Sequence, residues 1–183
     1  MSQHLMGLRL RGWLLLCLCL ALISCSHDDA LRYRERGPAF DVAQFFTGKV
    51  QAWGIFQARD GHAERRFSVM IDGSMQDGIL VLDEQFVFDD GKREQRVWRL
   101  RQQADGSWRG TAGDVEGEAV GVVSGPALHW RYTLLLPYRG SSIAMQMDDW
   151  MFMLDAQHVM NRTSMRKFGL EMGQVTLFFR KLS

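Results

Sequence analysis

Three adjacent acid pairs punctuate the chain after residue 48: Asp83-Glu84, Asp89-Asp90 and Asp148-Asp149. Two carboxylates held together can do general acid–base work, one giving a proton while the other takes one or attacks, as in a glycosidase. The last pair has the most unusual setting, because IAMQMDDWMFMLD (residues 143–155) surrounds it with Met, Ile, Trp and Phe. Whether sequence neighbours form a dyad depends on the element that carries them. In a regular strand successive side chains point to opposite faces, so Asp148 and Asp149 part company, as do Asp83 and Glu84. Asp89 and Asp90 abut Gly91 and read as turn residues. Only carboxylates from different strands could then meet.

Other chemistries find less material. His27, His62, His129 and His158 are not at the paired spacing of metal ligands on one element. His129 lies between Leu128 and Trp130 and faces away from both, as a surface or hydrogen-bonded histidine would. There is no G-x-S-x-G nucleophile elbow, and Thr47-Gly48-Lys49 lacks the upstream glycine of a phosphate loop. The sequence therefore predicts neither a cofactor nor a metal, and a binding or structural protein rather than an enzyme.

The elements that must position these residues are strands. From residue 48 onward short apolar–polar alternations fall near 48–58, 64–72, 78–88, 93–103, 107–113, 116–124, 127–137, 143–154, 158–166 and 172–182. Asp60-Gly61, Asp72-Gly73, Asp77-Gly78, Asp90-Gly91, Asp105-Gly106, Gly125-Pro126 and Arg139-Gly140 separate them as hairpin turns. Eight to ten strands so joined make an all-β antiparallel meander. Closure into a calycin- or lipocalin-like barrel removes its edges; a β-sandwich is the alternative. One helix is expected over Pro38–Phe46, where Phe40, Phe45 and Phe46 would plug a barrel mouth.

Within the strand at 143–154 the odd positions are Ile143, Met145, Met147, Asp149, Met151 and Met153, apolar but for one acid. This face is expected inside, with Asp148, Trp150 and Phe152 outside. A buried acid needs a partner or takes up a proton. Arg96, Arg131 and Arg162 are strand-borne candidates, and a structural ion pair competes with a ligand anchor as the role of Asp149. Six of the eleven methionines lie between residues 145 and 165; flexible thioethers suit an irregular apolar ligand as well as a core. The candidate ligand contacts are Asp149, Trp150, Met151, Met153 and Trp130, with Asp83 as a second acid and Arg162 as a basic one. Trp53, Trp98 and Trp108 read first as packing.

The N-terminus carries a different signal. Arg9 and Arg11 precede the apolar run at residues 13–23, which is shorter than the ~20 residues a membrane-spanning helix needs. Leu22-Ile23-Ser24-Cys25 follows and resembles a bacterial lipobox. That predicts a signal peptide over 1–24, a lipidated Cys25, a polar tether over 25–37 reaching ~40 Å, and one barrel domain over 38–183. Cutting before Cys25 removes Cys17 and Cys19, so no internal disulfide is possible. Ser26 after the cysteine suggests the outer membrane, with the domain facing the periplasm. The formal charge of +1 gives no field for nucleic acid.

FFTGKVQAWGIF, LDEQFVFDDG, RVWRL, GTAGDVEGEAVG, ALHWRY, DDWMFM and NRTSMRKFG, spanning Phe45 to about Phe179, resemble a bacterial lipoprotein family catalogued as domain of unknown function 3833. The resemblance implies no established activity. It places Asn161 and Arg162 in a polar corner. Its association with genes of envelope lipid chemistry implies an envelope role. Two functions follow as expectations: a membrane-anchored barrel that holds a lipid or other apolar molecule, or a structural lipoprotein assisting lipid-modifying or assembly partners.

Overall fold

The computed structural model describes residues 30–182, so the signal segment, Cys25 and Ser26 lie outside the described residues. Alternating side chains and Gly-bearing turns produce ten strands: β1 (Gly48–Ala58), β2 (Ala63–Gln76), β3 (Ile79–Phe88), β4 (Arg93–Gln102), β5 (Trp108–Thr111), β6 (Val115–Ser124), β7 (Ala127–Tyr138), β8 (Ser141–Met153), β9 (His158–Lys167) and β10 (Leu170–Lys181). Every neighbouring pair is antiparallel. The meander closes where β1 pairs with β10, from Val50 opposite Lys181 to Ala58 opposite Gly173. A closed barrel leaves no unpaired edge, and the sandwich alternative is set aside.

Three tight turns use a non-glycine residue with positive φ followed by glycine: Asp77-Gly78, Arg139-Gly140 and Phe168-Gly169. The last was not among the expected turn pairs, because phenylalanine is an unusual choice for that backbone. Asp72-Gly73 is a correction in the other direction. It lies inside β2 rather than at a turn, and the reason is packing: an added Cβ on Gly73 would stand 1.8 Å from the Phe46 carbonyl oxygen. The glycine is there to let another piece of backbone approach.

That piece is the plug. Helix α1 (Val42–Phe46) is shorter than the predicted Pro38–Phe46, because Asp41 acts as its N-cap and accepts from Gln44 N at 2.9 Å. Phe40, Phe45 and Phe46 pack edge-on or tilted against one another, and Phe46 meets Phe179 of β10. All three are buried with Val50, Ile71 and Leu80 in the core at this end of the barrel. Lys181 Nζ donates to the carbonyls of Gln44, Phe45 and Thr47 at 2.8, 2.9 and 2.6 Å. A cation thus satisfies carbonyls at the helix C-terminus, where the peptide dipoles favour positive charge.

Part of the expected tether is also not free. A 3₁₀ turn, Ala30–Tyr33, packs on β6 and β7. Tyr33 sets its ring against Trp150 and Phe152 on the outer wall at 5.8 and 5.3 Å. Phe40 N then donates to Gly125 O at 2.8 Å, in the β6–β7 turn. The chain therefore reaches the barrel at its plugged end. Replacing Gly73 by alanine should force the plug away from β2 and cost about 1–3 kcal/mol, as overpacking does. Thermal denaturation of Gly73→Ala beside Gly113→Ala, whose Cβ would meet nothing within 4 Å on a backbone without positive φ, checks that the loss comes from the clash.

Candidate ligand-binding cavity

The interior is not filled. A cavity of about 510 Å³ runs from Val42 and Phe46 of the plug to Phe88, Lys92 and Pro137 near the opposite rim. That volume falls in the range of ordinary small-molecule pockets. Its existence is unexpected for a barrel with so many inward aromatic rings, and glycine explains it. Trp130 lies over Gly121, its register partner on β6, and over Gly110 of β5; added Cβ atoms there would stand 2.3 and 2.8 Å from the indole. Phe67 likewise covers Gly54, its partner on β1, with 2.2 Å to an added Cβ. The rings lie against the wall and leave the axis open.

Residues that alternate inward bring polar groups from five stretches of chain into this apolar tube. Glu84 comes from β3, Arg96 from β4, Asp114 from the β5–β6 turn, Tyr132 from β7, and Asp149 from β8; all line the cavity. Arg96 Nε donates to Asp114 Oδ1 and Oδ2 at 3.0 and 2.9 Å, with Nη2 2.8 Å from Oδ2. Its Nη1 stands 3.9 Å from Glu84 Oε2. Asp149 is in no ion pair among the described residues. It is 6% exposed, and its Oδ1 is buried without a hydrogen-bond partner. The neighbouring Thr163 hydroxyl donates to Asn161 Oδ1 at 3.1 Å. The expected structural ion pair at Asp149 is thus a correction: Arg96 is the inward arginine, but Asp114 and Glu84 take its guanidinium.

The electrostatics follow from burial. Loss of water raises the Glu84 carboxyl to about 7, against the opposing pull of Arg96 and with the help of Asp114 and Asp149. Burial also raises Asp149 to about 7, although Thr163, Arg96 and Tyr132 favour its charge. Burial, then Asp149, push the Tyr132 phenol well above its usual value. Desolvation works against charge on Arg96, yet Glu84 and Asp114 outweigh it and hold the guanidinium more firmly protonated than usual.

The remaining predicted contacts divide by strand face. Trp130 and Met151 line the cavity, and Met153 packs against the core on the same face of β8. Trp150 points outward, where it stacks on His129 with ring centroids 4.1 Å apart. His129 Nε2 in turn contacts Asp148 Oδ1 at 2.5 Å, so the outer acid of the pair has a partner. Asp83 is on the outer face and accepts from Gln85 and Gln95 at 2.7 and 2.9 Å. Arg162 is exposed and bonds Gln174 at 3.0 Å. Asp83, Trp150 and Arg162 therefore do not line the cavity, while Glu84, Asp114 and Tyr132, which were not singled out, do. Asn161 faces inward and Arg162 outward, so they form no common corner.

The comparisons bear on family and fold. The family model described as Protein of unknown function (DUF3833) matches residues 19–181. No curated protein matches the chain. Among solved structures it is similar to an S-type phycobiliprotein lyase from Guillardia theta, with a TM-score of 0.55 over 77% of this chain and 91% of the other, at 6% identity. At that identity the likeness is one of fold, and it agrees with a lipocalin-like barrel.

The raised acids make stability fall with rising pH. Above about pH 4 the unfolded chain gives up the protons of Glu84 and Asp149, whereas the folded barrel keeps them until about 7. The folded state binds more protons across that window, so it loses stability through it, and the loss levels off above. Asp149→Asn should flatten the decline and melt higher than wild type at about pH 8. Thermal melts at about pH 5 and pH 8 check both the slope and its sign.

Proposed function

Because this chain belongs to the family described as Protein of unknown function (DUF3833), which brings no activity with it, we propose from the cavity that the protein binds a lipid or other apolar small molecule inside its barrel. The carrying observation is the open lumen of about 510 Å³, lined by Phe67, Trp98, Trp130, Met147, Met151 and Leu177 around a few buried polar groups. Mostly apolar walls with few polar anchors are what small-molecule sites look like. The likeness to a barrel named as a phycobiliprotein lyase supports a small-molecule role at the level of fold. A purely structural envelope protein would have no use for this volume, since an empty core forfeits packing.

The same proposal includes the anchor. Leu22-Ile23-Ser24-Cys25 after a basic segment and a short apolar run supports lipidation of Cys25 and outer-membrane attachment. Acyl chains contribute ~0.8 kcal/mol per buried CH₂, and more than one chain makes such an anchor stable. Since the chain lies on the barrel from Ala30 onward, five residues at most separate Cys25 from it, a span of up to ~17 Å. The plugged end would then face the bilayer and the open rim would face away from it. The protein acts as a carrier or sensor of its ligand, with no covalent step.

Two experiments test this reading. Met151→Trp, which fills the lumen, should weaken binding of a neutral naphthyl dye by about tenfold or more, whereas Asp83→Asn on the outer face should leave it unchanged; equal loss in both, or no dye binding at all, rejects the cavity. In a Gram-negative host, Cys25→Ser should abolish incorporation of labelled palmitate and move the protein from membranes to the soluble periplasmic fraction. An unlabelled, soluble wild type would reject the anchor.

A further inference from the structure

The cavity holds more acid than base, and that excess bears on what the ligand carries. Glu84, Asp114 and Asp149 face the lumen, with one guanidinium, Arg96, among them. The other cavity-lining charges are Arg65, Lys92 and Glu94. They lie towards the rim and pair outside the cluster or with each other: Arg65 with Asp90, and Lys92 with Glu94. Arg96 is committed to Asp114 and Glu84. Asp149 remains, at 6% exposure, lining the cavity with a buried Oδ1 that has no hydrogen-bond partner in the protein.

An orphaned carboxylate oxygen in a dry site costs free energy unless something supplies a hydrogen bond. No three His, Cys, Asp or Glu side chains among the described residues are arranged to hold a metal ion, so the cluster does not read as an inorganic cation site. The Thr163 and Tyr132 hydroxyls both favour the charge of Asp149, but Thr163 directs its proton to Asn161, Oδ1 keeps no partner, and Trp130, the register partner of Asp149 on β7, offers an apolar face. Apolar walls continue towards the rim through Phe67, Phe86, Leu136 and Val175. The missing partner is a donor that arrives with an apolar tail.

We propose that the cavity takes an elongated apolar molecule whose head is a hydrogen-bond donor, above all a primary amine, seated on Asp149 and Glu84, and that it discriminates against anionic heads such as a fatty carboxylate. This rests on the cavity being a ligand site and adds the chemistry of the head. A carboxylate head would bring like charge to Asp149, Glu84 and Asp114, with Arg96 already engaged and Tyr132 a neutral phenol on the same wall. An ammonium head offers three donors and neutralises the excess. A hydroxyl head offers one donor without charge and falls between them. Amine preference grows with pH as Glu84 and Asp149 ionise. Arg96, Asp114, Tyr132 and the outer-face Asp148 set the surrounding field.

The test compares dodecylamine, 1-dodecanol and dodecanoic acid, each below its aggregation limit, in displacing a neutral naphthyl dye from the full chain carrying Cys25→Ser at about pH 7.5. Dodecylamine should bind at least about tenfold more tightly than dodecanoic acid, with dodecanol between them. Asp149→Asn, nearly isosteric, should shrink the amine–acid gap to about threefold or less while dodecanol binding holds, and Glu84→Gln should shrink it in the same direction. Dodecanoic acid binding as tightly as dodecylamine in the wild type overturns the inference while leaving the cavity reading intact. A gap that survives both substitutions overturns it as well. If neither dye nor any of the three probes binds, both readings fall together.

Discussion

A guanidinium buried in an apolar tube constrains everything around it. Arg96, 21% exposed, has given up much of its hydration, and the half-buried Asp114 chelates it while Glu84 stands behind. Those acids reach it from β3 and from the β5–β6 turn, so the ion cluster ties β3, β4 and that turn together across one interior face. Buried ion pairs are poor sources of stability, since well-packed apolar groups of similar volume usually do as well. Their retention in this interior supports the proposed ligand site, since as reinforcement they add little. Asp149 makes the argument sharper, because it lies beyond the pairing that Arg96 can offer and adds a desolvated carboxyl to a cluster that is already acidic.

Most of the architecture was legible in the sequence because it follows from period two and from turn chemistry. Alternation over Val50–Phe56, Leu80–Phe88 and Met145–Met153 fixes which side chains share a face, and the Asx-Gly pairs other than Asp72-Gly73 mark where strands reverse. The inward face of β8 followed from its methionines. The same reasoning, applied to β3, points to Glu84, which alternates with Leu80, Leu82, Phe86 and Phe88, while Asp83 shares its face with Gln85. Taking Asp83 as the candidate acid ignored that signal. Trp150 was assigned to the ligand for its chemistry, although its parity put it outside.

Other features depend on contacts between distant segments and leave no local trace. Asp114 reads as an ordinary turn acid until the β4–β5 register, with Arg99 opposite Thr111, sets it beside Arg96. The sequence offers Asp149 three arginines, and only the register across strands shows that Arg96 is the inward one and that Asp114 and Glu84 occupy it. The 3₁₀ turn at Ala30–Tyr33 looks like polar linker because its hold on the barrel comes from the Tyr33 ring on Trp150 and Phe152, more than a hundred residues away in sequence.

The glycines of the wall join fold to function. A barrel that must turn tight corners needs glycine at its hairpins, but Gly54, Gly110 and Gly121 lie within strands, where glycine is conformationally costly. Each has a large ring lying over it: Phe67 on Gly54, Trp130 on Gly110 and Gly121. With any side chain at these positions the rings would have to swing towards the axis, and the lumen would close into a conventional packed core. The loss in strand propensity is therefore coupled to an interior volume that packing alone would not leave open. A protein selected only for stability gains nothing from that combination, whereas one that must admit a guest between Trp130 and Phe67 gains the space it occupies.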